Sequence, residues 1–554
     1  MRNLRELSPL KAASAFWVGA AALALAACAE EAATSNTTAP AAEAETAEMS
    51  SAPVAQTEYG AVEGLVEDDV LVFKGVRYGA DTQTTRFEAP AEPASWKGVQ
   101  DAKNYGNTCL QTLTGNPGGL FTSWAPDPEP PLSEDCLFLN VWTPSLEGND
   151  RPVMVWLHGG GFSTGSGTSN VYDGARLAAR GDVVVVTINH RLNVLGYLAL
   201  GHYGEGFENS ASAGVLDMVL ALEWVRDNIE NFGGDPDNVM IFGESGGGSK
   251  VSTLMAIDEA DGLFHRAVIQ SGALLRFLDQ DFAQAESDKV VEKLGLTAET
   301  IDEIKTMPIE EIRAAARGTR AALAPSIDGN VLTDHPFVPE AAAPGADVPL
   351  MLGWNRTENT LFAAIFNQAA FELTEEQLIP ALQRAMPDRD AEAVVALYRE
   401  ADPELGPVEL FFEATTDERY LSSHTAAAEA KFAQAAAPTY LYLFNWETPV
   451  QGGKYLVPHA LEIGFVFDNV AKSESMSGIG EEQQAVADIM ADTWIAFARN
   501  GDPNNEHLPT WPAYDMDSRA IMVLDESPEM IEDARGAQRE FFDMDWEVSR
   551  YQQR

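Results

Sequence analysis

Two rhythms of apolar and polar positions alternate along this 554-residue chain. Short continuous apolar runs at 70–73, 137–142, 153–157, 183–188, 239–242, 268–270, 348–354 and 440–446 predict strands. Unbroken runs, rather than alternating ones, are typical of strands buried on both faces. Between them the spacing turns helical. Val215, Val219, Leu222, Val225, Ile229 and Phe232 recur on one helical face, and Gly233-Gly234-Asp235-Pro236 ends that helix. Stretches 284–322 and 374–435 read as polar-faced helices, and 488–499 as a helix stopped by Gly501-Asp502-Pro503. Residues 59–105 read as short strands and turns, and 110–134 as a Pro- and Gly-rich loop. No internal repeat is present. Strands alternating with helices predict one large α/β domain over 58–554.

The N-terminus follows neither rhythm. Arg2, Arg5 and Lys11 make a basic start, and an Ala-rich apolar stretch at 12–27 is short for a membrane span. It ends in Leu25-Ala26-Ala27-Cys28, which resembles a bacterial lipobox. Residues 1–27 are therefore expected to be a lipoprotein-type signal peptide, with Cys28 the lipidated first residue of an exported, membrane-anchored envelope protein. Ordinary signal cleavage nearby, with Cys28 incidental, is the alternative. Residues 28–57 are rich in Ala, Glu and Thr and predict a disordered tether.

Composition narrows the partners. There are 85 acidic and 36 basic residues, for a net charge of −49. Nucleic-acid binding needs clustered Lys and Arg, so this balance argues against it. A solvated acidic surface explains the charge; steering of cationic substrates is the functional alternative. The chain has three cysteines. With Cys28 taken by the anchor, an exported chain most simply pairs Cys109 with Cys136; two separate buried thiols are the alternative. Neither has histidine partners at metal-ligand spacing, and nothing in the motifs calls for a metal or another cofactor.

Two glycine-rich turns carry the chemistry. His158-Gly159-Gly160-Gly161-Phe162 follows the 153–157 run, and Gly243-Glu244-Ser245-Gly246-Gly247 follows 239–242. Strand, G-x-S-x-G, helix is the context of a nucleophile elbow. The first turn offers backbone N–H groups for the oxyanion of acyl transfer. A serine needs a base, and in this order an acid comes between them. His424, His459 and His507 follow Ser245 by enough. His424 lies in an Ala-rich helical stretch and reads as a surface residue, and His507 lies in a polar turn. His335 comes too early for an acid on a clear strand to precede it. His459 lies in a loop beyond a strand, where an α/β sheet presents site residues. For the acid, Glu358 follows the 348–354 strand. Asp328, Asp334 and Asp417 are its rivals.

Further segments give a resemblance. Glu134-Asp135-Cys136-Leu137-Phe138-Leu139-Asn140, Phe232-Gly233-Gly234-Asp235-Pro236, Gly353-Trp354-Asn355-Arg356-Thr357-Glu358, Pro458-His459 with Glu462 and Phe467, and Trp511-Pro512-Ala513-Tyr514 resemble motifs of the type-B carboxylesterases. The likeness runs over about 62–520. It implies an α/β-hydrolase fold with a large, mixed, mostly parallel central sheet flanked by helices. It also implies a serine hydrolase cleaving small-molecule carboxylic esters, with Ser245, Glu358 and His459 catalytic and Gly160, Gly161 and Gly246 forming the oxyanion hole. It supports the Cys109–Cys136 bond. A lipase or thioesterase would use the same triad. A non-catalytic surface binding protein of the same fold would lack it, and all three residues are present. Gly246 stands where the family usually has Ala, and Ser212 and Met218 replace a usual Asn and Gln. Lys250, just after the elbow, has no role in this scheme. Trp124, Leu361, Phe362 and Phe465 are candidate walls of an apolar substrate pocket, with core packing as the alternative for each.

Overall fold

A computed structural model describes residues 52–112, 116–321 and 324–543. Eleven of its strands form one sheet. In spatial order they are Glu529–Glu532, Ala520–Leu524, Thr439–Phe444, Leu350–Asn355, Arg266–Gln270, Gly234–Glu244, Arg151–Leu157, Val184–Ile188, Phe138–Thr143, Val70–Arg77 and Leu65–Glu67. The strands from Ala520–Leu524 to Val184–Ile188 run parallel. Both flanks are antiparallel.

Every residue of Val184–Ile188, Leu350–Asn355 and Thr439–Phe444 is buried. This is why the sequence shows continuous apolar runs there instead of alternation. Side chains still alternate between the faces. Val153, Val155 and Leu157 enter one core, and Met154 and Trp156 enter the other. The sheet is therefore a middle layer with a core on each side.

The strand order places the site. Arg151–Leu157 pairs with Val184–Ile188 on one side and Gly234–Glu244 on the other. The chain thus leaves in one direction and resumes in the other. The carboxyl end of Arg151–Leu157 is a topological switch point, where parallel sheets leave a crevice for ligands. Both glycine-rich turns emerge there.

Some expectations need correction. Val54–Thr57 is a strand paired with Gly60–Glu63, so folded structure begins before residue 58 and the tether cannot reach 57. The signal peptide expected at 1–27, the lipidated Cys28 and the tether over 28–51 lie outside the described residues. Beyond the 440–446 run, two strands that the apolar pattern did not predict, Ala520–Leu524 and Glu529–Glu532, extend the sheet. The helix expected to end at Phe232 is α-helical over Ala213–Asn228 and closes with a 3-10 turn over Ile229–Phe232. Cys109 and Cys136 are bonded and buried. Among the described residues, no helix is long and apolar enough to cross a membrane.

Candidate active site

The strand Gly234–Glu244 runs directly into Ser245, and the helix Gly246–Leu254 starts at the next residue. Ser245 has φ 58° and ψ −121°, a conformation that L-residues rarely adopt. Its surroundings enforce it. Ser245 N donates to Gln270 O at 2.8 Å, and Ser249 N donates to Ser245 O at 3.0 Å. The flanking glycines leave no room for side chains. A Cβ at Gly247 would sit 1.9 Å from Leu157 O, and one at Gly243 would sit 2.6 Å from the same atom. The turn is tight because the elbow rests on the neighbouring strand end.

The glycine-rich turn at 158–162 faces the elbow. Gly160 and Gly161 have φ +87° and +61° and are exposed at the crevice. The loop is fastened beyond them. Thr164 N donates to Gly160 O at 3.1 Å, and Gly165 N donates to Gln111 Oε1 at 2.7 Å. Gln111 belongs to the segment between the bonded cysteines. A Cβ on Gly246 would lie 2.3 Å from Gly161 O, 2.4 Å from its Cα and 2.5 Å from its N. Gly246 therefore supplies space as well as a backbone N–H. Gly246→Ala should displace Gly161 and lower kcat by about 10²-fold, the effect of losing one oxyanion donor. Steady-state hydrolysis of p-nitrophenyl acetate measures this. An unchanged kcat would mean that the loop yields without consequence.

The residues expected as acid and base, Glu358 and His459, follow two adjacent strands. Glu358 follows Leu350–Asn355 and is fully buried. Its Oε1 accepts from Asn355 N at 2.8 Å, and its Oε2 faces His459 Nδ1 at 2.5 Å. The histidine loop follows Thr439–Phe444 and is pinned from below. Asn355 Nδ2 donates to Pro458 O at 2.8 Å, and Val457 N donates to Thr357 Oγ1 at 2.9 Å. The other ring nitrogen, Nε2, lies 3.1 Å from Glu244 Oε1. It makes no aligned hydrogen bond among the described residues.

Burial alone would lower the His459 pKa. The carboxylates of Glu244, Glu358 and Glu462 outweigh it and raise the group to about 9. Burial pushes Glu244 well above the ordinary carboxyl range, against the pull of His459. Burial and the charge of Glu358 raise Glu462 to about 7. Facing at 3.1 Å in a buried site, His459 and Glu244 are electrostatically coupled.

The supporting roles of several residues escaped the sequence reading, although Asn355 and Glu462 stand in its motifs. Glu462 accepts from Gln270 Nε2 at 3.0 Å and from Asn355 Nδ2 at 2.7 Å. Trp494 Nε1 donates to Gln270 Oε1 at 3.1 Å. This buried network ties the histidine loop to the sheet. A signal existed. Glu244, Gln270 and Asn355 each stand last in an apolar strand, at its carboxyl end.

The pocket candidates separate. The Phe362 ring lies 5.0 Å from the His459 ring and is half-buried. Trp124 and Leu361 are buried in the core that contains Tyr172 and Tyr455. Phe465 is fully buried, with its ring against Phe444 and Trp446, so it is core and not a wall. The rival acids are accounted for. Asp328 caps a turn, accepting from the N–H groups of Asn330, Val331 and Leu332. Asp334 accepts from Thr333 Oγ1 at 3.0 Å, and Asp417 is buried against Tyr398 and Arg535. His424 is not on the surface. It is fully buried beside Trp354, with Nδ1 on Tyr420 O at 2.7 Å, and burial lowers it to about 4. His335 accepts from Phe277 N, and His507 contacts Asp492.

A mostly parallel sheet with an elbow serine at its switch point, and an acid and a histidine on later strand ends, defines the α/β-hydrolase fold. Residues 51–542 match the model of the carboxylesterase family, and the chain belongs to that family. It is a carboxylic ester hydrolase. It is 36% identical to para-nitrobenzyl esterase of Bacillus subtilis over 484 residues, covering 85% of this chain and 94% of that one. It is 33% identical to phenmedipham hydrolase of Pseudarthrobacter oxydans over 506 residues, covering 88% of this chain and 98% of that one. The crystal structure of a Geobacillus stearothermophilus carboxylesterase is similar with a TM-score of 0.77 at 36% identity, covering 88% of this chain and all of the other.

Proposed function

We propose that the protein cleaves small carboxylic esters through an acyl-enzyme on Ser245, with His459 as base and Glu358 as its orienting acid. The observation that carries this reading is the bond from His459 Nδ1 to the buried Glu358, which leaves Nε2 turned toward the end of the elbow strand. His459 Nε2 takes the Ser245 proton as Oγ attacks the ester carbonyl. The N–H groups of Gly160, Gly161 and Gly246 receive the developing oxyanion. The imidazolium, stabilised by Glu358, returns the proton to the departing alcohol. Water then repeats the sequence on the acyl group and frees Ser245. Phe362 gives the apolar contact beside the histidine, in keeping with aromatic esters such as those of the para-nitrobenzyl relative.

The pH profile tests the assignment of the base. An imidazolium cannot accept the serine proton, so kcat/KM must fall as pH drops through the pKa of His459. That pKa is raised by the facing carboxylates. The acid limb should therefore have its midpoint above 6.5, the ordinary histidine value. Glu244→Gln removes one of those charges, so the limb should move to lower pH. A limb that stays in place in Glu244→Gln would remove Glu244 from the account. A kcat/KM with no acid limb would count against His459.

The N-terminal reading is part of the same proposal. Cys28 becomes the lipidated first residue, and the protein is carried on the bacterial envelope. One acyl chain holds a protein only marginally, while two or more give a stable anchor. Native protein should fractionate with membranes and Cys28→Ser should not. An intact mass showing an unmodified N-terminus other than Cys28 would refute the anchor and leave the esterase reading untouched.

A further inference from the structure

Lys250 lies on the elbow helix, five residues after Ser245, and is completely buried. A buried ammonium is costly unless something compensates it. No carboxylate offsets the burial of Lys250 among the described residues. Its Nζ donates instead to the backbone carbonyl of His158 at 2.7 Å and sits 5.8 Å from the centre of the Phe162 ring. Both partners belong to the oxyanion loop, one on each side of its three glycines.

The surroundings are equally unusual. The rings of His158 and His190 stack at 4.8 Å with an interplanar angle of 9°. Each turns Nδ1 to a backbone carbonyl, Gly159 O at 2.8 Å and Arg191 O at 3.0 Å. Each leaves Nε2 buried without a hydrogen-bond partner among the described residues. Burial, together with the charge of Lys250, pushes both rings well below the ordinary histidine range. Burial lowers Lys250 itself to about 7. Lys250 is the member of this cluster whose side chain reaches from the elbow helix to the loop backbone.

Two residues of the elbow helix meet the oxyanion loop. Gly246 lets the Gly161 backbone approach the elbow, within the space a Cβ would fill. Lys250 holds the opposite end of the same loop at His158. We propose that Lys250 is a positioning residue: its amine, locked on the His158 carbonyl, fixes the backbone that presents the Gly160 and Gly161 N–H groups to the oxyanion. This rests on the serine-esterase reading above and adds a residue to it.

The experiment compares native protein, Lys250→Met and Lys250→Gln. Met keeps the length without a donor, and Gln keeps an N–H. An aryl trifluoromethyl ketone, which adds to a nucleophilic serine as a tetrahedral oxyanion, reports on the hole directly. In Lys250→Met, kcat for p-nitrophenyl acetate should fall about 10²-fold with KM within about threefold, and affinity for the ketone should fall in the same proportion. Lys250→Gln should recover about tenfold of that loss. A merely structural lysine would lower the melting temperature without linking kcat to ketone affinity. The proposal is overturned if folded Lys250→Met keeps both quantities within about twofold of native, if kcat falls while ketone affinity does not, or if neither variant folds. If native protein itself fails to bind the ketone, the Ser245 reading fails first, and that result is distinct from the others.

Discussion

Ser245→Ala is expected to lower ester turnover by about 10⁴- to 10⁶-fold and to leave the fold intact. The loss is large because in the proposed mechanism Oγ is the atom that becomes acylated, and Ser245 alone occupies the strained elbow position between strand and helix. The fold should survive because the conformation at 245 is held by backbone contacts. The bonds to Gln270 O and from Ser249 N involve main-chain atoms only. The glycines at 243 and 247 stay in place. What activity remains comes from the oxyanion N–H groups and from substrate binding. Turnover of a p-nitrophenyl ester and a thermal melt together check this. A variant that melts like native protein and still hydrolyses the ester at a comparable rate would end the acyl-enzyme reading.

Glu358→Gln should lower kcat by about 10³- to 10⁴-fold with little change in KM. The substitution preserves shape, so the argument rests on hydrogen-bond polarity. Glu358 accepts on both oxygens, from Asn355 N on one and from His459 Nδ1 on the other. An amide has one acceptor and one donor group. If its oxygen faces Asn355, its NH₂ confronts the Nδ1–H and drives the imidazole to the Nε2–H tautomer, which cannot take the serine proton. If it flips, its NH₂ confronts the buried Asn355 N–H. Either arrangement loses a bond or the useful tautomer. Asp417 cannot substitute, since its carboxylate is committed to Tyr398 and Arg535. Kinetics of Glu358→Gln beside Asp417→Asn measure the difference. Loss of activity in the second alone would move the acid elsewhere.

The parts of the site that local chain chemistry dictates were legible in the sequence. The elbow needs glycines because Leu157 O leaves no space at 243 and 247, and those glycines stand in the sequence as a motif. The order of strand ends places Glu358 and His459 after Ser245, and the structure brings the two side chains into contact. Parts that depend on packing between distant segments were not legible. His424 sits among alanines, which suggested a surface. Small side chains are what let its helix lie close against the sheet, so the ring ends up buried beside Trp354. Phe465 stands six residues after His459 and looked like a wall of the site. A short helix turns it away, into Phe444 and Trp446. The strand Ala520–Leu524 is only five residues long, and a run of that length does not distinguish strand from helix. Glu529–Glu532 is largely exposed at the sheet edge and shows no apolar run at all. Lys250 was visible, but nothing local could say that its amine would end on a carbonyl 92 residues away.

The central claim is that Ser245 is the nucleophile of an ester hydrolase. A fluorophosphonate probe tests it most directly, because it forms a stable adduct only with a serine activated for attack. Native protein should take up one phosphonyl group per chain on the peptide carrying Ser245, with esterase activity lost in proportion to labelling. Complete inactivation with the label on another residue, or full activity in protein labelled at Ser245, would contradict the account.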